Sequence, residues 1–264
     1  MINLLKISCV QMDVKLGDTS TNLRNAIPKI EEAVKAGAKV VVLPELWTTG
    51  YCLDEIEKHT DEQEKVIETL KKVAKQESIW IVGGSLPIKK EDGVFNELVI
   101  INSTGELIKT YDKVHLFQLM NEHNYLQAGT SDAFFGLEGH KAAGFVCYDL
   151  RFPEWMRAHA VNGAKLLFFV AQWPIQRIQH WEILLKARAI ENQCFVVACN
   201  RVGKDKENRF GGNSLIIDPW GEVLSKGGLE EEILTAQIDL EKVQEIRNTI
   251  PIFEDRKIDL YNKF

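Results

Sequence analysis

Short apolar runs rich in β-branched residues alternate with amphipathic stretches along this chain, and they do so twice in the same order. Residues 7–12 read as a strand. Asp18-Thr19-Ser20-Thr21 then supplies side-chain oxygens to cap a helix over 22–36, which Gly37 stops. A second strand over 39–43 is closed by Pro44, and a charged helix over 61–76 leads to a third strand at 79–83. Segments 96–101 and 106–111 flank Ser103-Thr104-Gly105 as a hairpin. The second round places strands at 141–147, 166–170 and 195–200, with helices over 154–162 and 179–192 between them. It ends in a second hairpin over 213–236, turning at Asp218-Pro219-Trp220-Gly221. Sheets with helices on one face bury the other by stacking back to back. The pattern therefore predicts an α/β fold, a four-layer α-β-β-α sandwich. No linker or shift in composition divides it, so residues 1–264 are expected to form one domain.

Composition narrows the class of function. Hydrophobic residues make up 45% and charged residues 27%, the balance of a soluble globular protein. The net charge of −6 and pI near 5.6 give no general attraction to nucleic acid or anionic membrane. The longest apolar runs, such as 166–171, cover six residues, far short of the ~18 that span a bilayer. The opening MINLLKISCVQMDV has neither a basic region nor a small-residue cleavage site, so it reads as a strand rather than a signal peptide. A cytoplasmic protein with no nucleic-acid or membrane partner is expected. Cys9, Cys52, Cys147, Cys194 and Cys199 form no CxxC pair or zinc spacing, and no HExxH occurs, so neither a disulfide framework nor a metal site is expected. The tail 249–264 carries apolar residues with little periodicity and is expected to pack on a partner subunit.

Three segments carry groups that suit chemistry. Glu45 follows a buried strand, where an unpaired carboxylate is costly and where α/β folds gather site residues. Lys113 and His115, two apart in an extended segment, point the same way and suit a developing negative charge. Cys147 ends a strand just before a turn and a helix that begins near Pro153. That placement exposes a nucleophile and leaves the next backbone N–H free for an oxyanion. Two arrangements fit these residues. One couples Cys147 to His115, with Asp149 orienting the imidazole; the other couples it to Glu45 as base, with Lys113 as oxyanion stabiliser. Local chemistry does not separate them.

Pro44-Glu45, Asp112-Lys113-Val114-His115-Leu116-Phe117 and Cys147-Tyr148-Asp149-Leu150-Arg151-Phe152-Pro153-Glu154 together resemble the nitrilase, or carbon–nitrogen hydrolase, superfamily. The three key residues keep the family order at separations of 68 and 34 residues, and the resemblance covers essentially the whole chain. Leu46-Trp47-Thr48-Thr49-Gly50-Tyr51, Asn121-Glu122-His123 and Gln172-Trp173-Pro174 resemble the omega-amidase-like branch. One departure is Gly212-Asn213-Ser214, where a histidine before the serine is expected; it bears on packing or the pocket rim.

The resemblance implies the nitrilase-type sandwich, often dimeric, and a cofactor-independent amidase. Cys147 would be the nucleophile, Glu45 the general base, Lys113 the stabiliser of the tetrahedral intermediate and Glu122 a supporting carboxylate. Lys113 beside Cys147 would favour the thiolate, and His115 would be structural. The implied substrate is a small linear omega-amide of the 2-oxoglutaramate or 2-oxosuccinamate type. An N-carbamoyl amide hydrolase, a nitrilase or a non-catalytic binding protein are the alternatives on the same fold. Tyr51, Phe117, Tyr148 and Trp173 are expected to wall a small pocket, with Arg177 set for a distal carboxylate. Arg151 is expected to pair with Asp149 or Glu154, and Arg188 with Glu191. Cys194 and Cys199 read as core, whereas Cys52, close to Glu45 in sequence, is a candidate reactive thiol.

Overall fold

Alternation within the strands decides which way each side chain faces. A computed structural model describes residues 4–261 and 263; residues 1–3 of the opening segment and Asn262 and Phe264 of the tail lie outside them. The first half comprises β1 (Leu5–Gln11), α1 (Thr19–Lys35), β2 (Val40–Val42), α2 (Gln63–Glu77), β3 (Trp80–Lys90), β4 (Gly93–Ile101) and β5 (Leu107–Asp112). The second comprises β6 (Phe134–Leu137), β7 (His140–Val146), α3 (Pro153–Val161), β8 (Leu166–Ala171), α4 (Ile178–Asn192), β9 (Phe195–Asn200), β10 (Leu215–Ile217) and β11 (Val223–Lys226). The chain closes with β12 (Glu232–Ile238), α5 (Lys242–Thr249) and α6 (Ile258–Tyr261). On β2, Val40 and Val42 enter the core between the sheets, while Val41 faces the helices.

The strands form two six-stranded sheets, ordered β12-β1-β2-β3-β4-β5 and β11-β10-β9-β8-β7-β6. Each has three parallel strands at its centre, an antiparallel pair on one side and a single antiparallel strand on the other. The two halves therefore share one topology. Ala26, Ile30, Val66 and Leu70 of α1 and α2 pack on the outer face of the first sheet. Met156, Ala160, Trp181 and Leu185 of α3 and α4 pack on the outer face of the second. The four layers are those expected from the sequence. The Asp18 carboxylate caps α1, accepting a hydrogen bond from Thr21 N at 2.9 Å. No helix among the described residues is long and apolar enough to cross a membrane.

Two strand assignments differ from the sequence reading. The second hairpin is shorter than 213–236: it pairs β10 with β11, and residues 232–236 cross to the other sheet as β12. There β12 covers the edge of β1, which would otherwise present unpaired backbone groups. The amide of Gln11 holds the crossing, donating to Gly228 O at 3.1 Å and Glu230 O at 2.7 Å. The β3–β4 hairpin is an addition. Gly83-Gly84 reads as the end of a strand, yet β3 continues to Lys90 through an irregularity in pairing between Val82 and Ser85. Phe253 packs between Arg157 and Arg247 of its own chain, at 5.3 and 4.9 Å, while Ile258, Leu260 and Tyr261 stay exposed.

The β3 irregularity positions the segment that follows β2. Ser85 N donates to Pro44 O, Ser85 Oγ accepts from Leu46 N at 2.9 Å, and Trp47 Nε1 donates to Gly83 O at 2.8 Å. Gly84 has φ +65° and lies so close that an added Cβ would stand 2.1 Å from Pro44 O. Gly84→Ala is therefore expected to cost about 2 kcal/mol or more in urea unfolding. Gly136→Ala, whose Cβ meets nothing within 4 Å, serves as the neutral control. Equal unfolding midpoints for the two variants would rule out this tight docking.

Candidate active site

Strands of both sheets end at one place. Glu45 lies just beyond β2, Lys113 directly after β5, Cys147 directly after β7 and Gln172 directly after β8. Glu122 comes from the loop after β5. Glu45, Lys113 and Glu122 are all fully buried, a placement that only mutual pairing makes affordable. Lys113 Nζ donates to Glu45 Oε1 at 2.8 Å and to Glu122 Oε1 at 2.7 Å. Glu45 Oε1 also accepts from Asn96 Nδ2 at 2.9 Å, and its Oε2 accepts from Gln172 N at 2.9 Å. Glu122 Oε2 accepts from Phe117 N at 2.8 Å. The Tyr51 hydroxyl lies 2.9 Å from Glu45 Oε1 and 2.7 Å from Glu122 Oε1, so one proton serves two carboxylates.

Cys147 is buried beside this cluster with φ +45°, a region that non-glycine residues rarely adopt. It opens a tight helical turn over Cys147–Arg151. Buried Asp149 holds that turn. It accepts from Val146 N at 3.0 Å, Tyr111 OH at 2.9 Å and His115 N at 3.0 Å, with His115 Nδ1 at 2.7 Å. Arg188 supports the same turn from α4, donating to Leu150 O from Nε at 3.1 Å and Nη2 at 2.8 Å; its Nη1 pairs with Glu191 at 2.8 Å. The His115 ring stacks on Phe152 at 3.7 Å and makes no hydrogen bond to Cys147 among the described residues. Asp149 and His115 thus shape the turn, and Glu45, Lys113 and Glu122 are the charged groups that act on the thiol.

Burial would lower the Lys113 pKa, but the Glu122 and Glu45 carboxylates outweigh it and raise the group, so the ammonium stays charged. Burial raises Glu122, opposed by Lys113 and reinforced by Glu45. Burial also pushes the Cys147 thiol well up, and the Glu45 carboxylate adds to the rise. Lys113 pulls it down, as the sequence reading expects, yet does not prevail. The resting group is a thiol rather than a thiolate.

A narrow cavity at Cys147 is lined by Phe117, Met120, Tyr148, Arg151, Gln172, Trp173, Pro174 and Arg177. Tyr51 belongs to the charged cluster, and an outer recess rather than this cavity meets the rest of its side chain. Arg151 departs from expectation. It pairs with neither Asp149 nor Glu154; its guanidinium lies over the Trp173 ring at 4.8 Å and within 3.4 Å of His180 Nδ1. The Asp149 oxygens are already taken by the turn, which leaves Arg151 to face the cavity. Arg177 lies over the Phe117 ring at 5.5 Å, and neither arginine has an ion-pair partner among the described residues. Burial raises the Cys52 thiol, which argues against special reactivity there, and Cys194 and Cys199 are buried.

Comparison with known proteins decides the family. Residues 6–248 match the family described as carbon-nitrogen hydrolase. This chain belongs to that family. It is 51% identical to a 2-oxoglutaramate amidase of Bacillus subtilis (strain 168), over 97% of this chain and 98% of the relative. It is 35% identical to a 2-oxoglutaramate amidase of Paenarthrobacter nicotinovorans, over 97% and 91%. Among solved structures, a hydrolase of the superfamily from Xanthomonas campestris, carrying an arsenic adduct in its active site, superposes with a TM-score of 0.90. It is 34% identical and covers 97% of this chain and 98% of its own.

Two polar residues of this carbon–nitrogen hydrolase escape sequence reasoning. Asn96 sits inside a strand with no local signal. Gln172 stands in the Gln-Trp-Pro segment, but its contact with Glu45 joins residues 127 apart in sequence. Among the described residues, no group of three or more His, Cys, Asp or Glu side chains is set to hold a metal ion. Below a raised pKa the thiolate fraction grows about tenfold per pH unit. Inactivation by iodoacetamide should therefore accelerate without levelling from about pH 6 to about pH 9. A plateau below about pH 8 would show that Lys113 does prevail.

Proposed function

We propose that this enzyme hydrolyses the terminal amide of a small linear omega-monoamide, of the 2-oxoglutaramate or 2-oxosuccinamate type, to ammonia and the dicarboxylic acid. The observation that carries the chemistry is the buried Lys113 ammonium joining Glu45 and Glu122 beside a cysteine on a strained turn. Glu45 takes the Cys147 proton as sulfur attacks the amide carbon, so the costly thiolate need not form before substrate arrives. Lys113 has three N–H donors, of which two hold carboxylates. The third, with the Tyr148 N–H, serves the oxyanion. Glu45 returns the proton to nitrogen, ammonia leaves and a thioester remains. Water, deprotonated by Glu45, then attacks the thioester; the acid departs and the thiol regains its proton. Glu122 keeps Lys113 charged and in place.

The substrate follows from the cavity. Arg151 and Arg177 both line it without carboxylate partners, which suits the carboxylate at the far end of an omega-amide. The relatives named 2-oxoglutaramate amidase support the same choice. Residues 1–264 are taken as one such domain. Exposed Ile258, Leu260 and Tyr261 support pairing with a second copy, and five free buried cysteines suit a reducing, cytoplasmic setting.

Ammonia release tests the reading across 2-oxoglutaramate, 2-oxosuccinamate, succinamate, glutamine, an N-carbamoyl amino acid and a simple nitrile. The keto-acid amides should be fastest. Cys147→Ala should abolish turnover, and Glu45→Gln should lower kcat by roughly 10³-fold. Arg151→Ala and Arg177→Ala should each raise KM roughly tenfold. Preference for the carbamoyl compound or the nitrile would reassign the substrate. Full turnover in Glu45→Gln with none in His115→Ala would replace the mechanism.

A further inference from the structure

Gln172 touches the Glu45 segment in three ways. Its backbone N–H donates to Glu45 Oε2 at 2.9 Å, and its side-chain Nε2 donates to Glu45 O at 2.8 Å and Leu46 O at 3.2 Å. Those carbonyls flank a strained link, for Leu46 has φ +39°. A side-chain amide can hold two carbonyls only with its NH2 end toward them. Arg201 dictates that orientation. It is fully buried just beyond β9, and its Nη1 donates to Gln172 Oε1 at 3.1 Å. A guanidinium has no acceptor, so the Gln172 oxygen must face Arg201 and the NH2 must face Glu45.

Arg201 is itself held on every side. Nη2 donates to Asp13 Oδ1 at 2.9 Å and Val14 O at 2.8 Å, Nε donates to Val202 O at 3.0 Å, and Phe210 lies under the guanidinium at 4.2 Å. Burial lowers its pKa to about 10, against the pull of Asp13, so it remains charged at neutral pH. Such a buried cation away from the substrate cavity needs a reason beyond packing.

We infer that Arg201 is a positioning residue for catalysis, fixing the Gln172 side-chain amide so that it clamps the Glu45 and Leu46 carbonyls and thereby sets where the Glu45 carboxylate stands. The inference rests on the reading of Glu45 as the base. Carboxylate placement matters at proton transfer more than in substrate binding, so the signature is a loss of kcat at constant KM.

The test is steady-state kinetics of Gln172→Met, Arg201→Lys and the double variant, with thermal unfolding to confirm that each is folded at the assay temperature. Each single variant should lower kcat by roughly 10- to 100-fold with KM within about twofold. The double variant should be no worse than the weaker single, because both changes break one relay. Asp13→Asn loosens Arg201 from a partly exposed position and supplies the readout where Arg201→Lys does not fold; it too should lower kcat at constant KM. Full kcat in the folded variants, losses that multiply, or an effect on KM alone would overturn the inference. Glu45→Gln, measured alongside, separates the two claims. If Glu45→Gln is active, the base assignment fails and the inference with it. If it is inactive while the relay variants keep full kcat, only the inference fails.

Discussion

The Lys113 ammonium, buried between the Glu45 and Glu122 carboxylates, is the interaction on which the rest of the site depends. Three charges out of water are tolerated only as a set, because removing one partner of a buried pair costs about 3–5 kcal/mol. The set also determines which protons are free to move. Two carboxylates hold the lysine charged, and the thiol beside them stays protonated because burial and the neighbouring negative charge outweigh a single cation. The Glu45 carboxylate and the Cys147 thiol, the base and nucleophile of the proposed mechanism, are thereby both kept buried in their unreacted forms.

Holding that set together explains the two-sheet architecture around it. Glu45 and Lys113 leave the first sheet, and Cys147 and Gln172 leave the second, so the stacking of the sheets brings the carboxylate and the thiol together. Gly144 marks how closely they approach, since a Cβ there would lie 2.5 Å from Leu98 Cδ2. Strain is found at this place too: Leu46 and Cys147 both take positive φ, and the segments around them are restrained by buried hydrogen bonds. Asp149 and Arg188 brace the cysteine turn, and Gln172 and Ser85 brace the glutamate segment.

His115 shows why residue type and spacing do not suffice to assign roles. Its place near Lys113 and Cys147 in the motif order fits a cysteine–histidine couple. In the fold its Nδ1 and backbone N–H both engage Asp149, and its ring is stacked on Phe152. Arg151 moved the other way. It reads as a partner for nearby acids, but the Asp149 oxygens are saturated by the turn, and the guanidinium is left facing the cavity.

The layers were legible in the sequence, because period-two and helical hydrophobic patterns are local and survive without knowledge of partners. The sequence also carried Glu45, Lys113, Cys147 and Glu122, since family motifs preserve residue type and order. What depends on distant segments meeting emerged only in the folded chain. Residues 232–238 crossed to β1 because an open sheet edge far away in sequence needed covering. Tyr51 joined the charged cluster, and Asn96, Gln172 and Arg201 became neighbours or supports of Glu45 from other strands and loops. Such polar contacts leave no periodic trace in a sequence, because each is set by three-dimensional hydrogen-bond geometry and the cost of leaving a buried group unpaired.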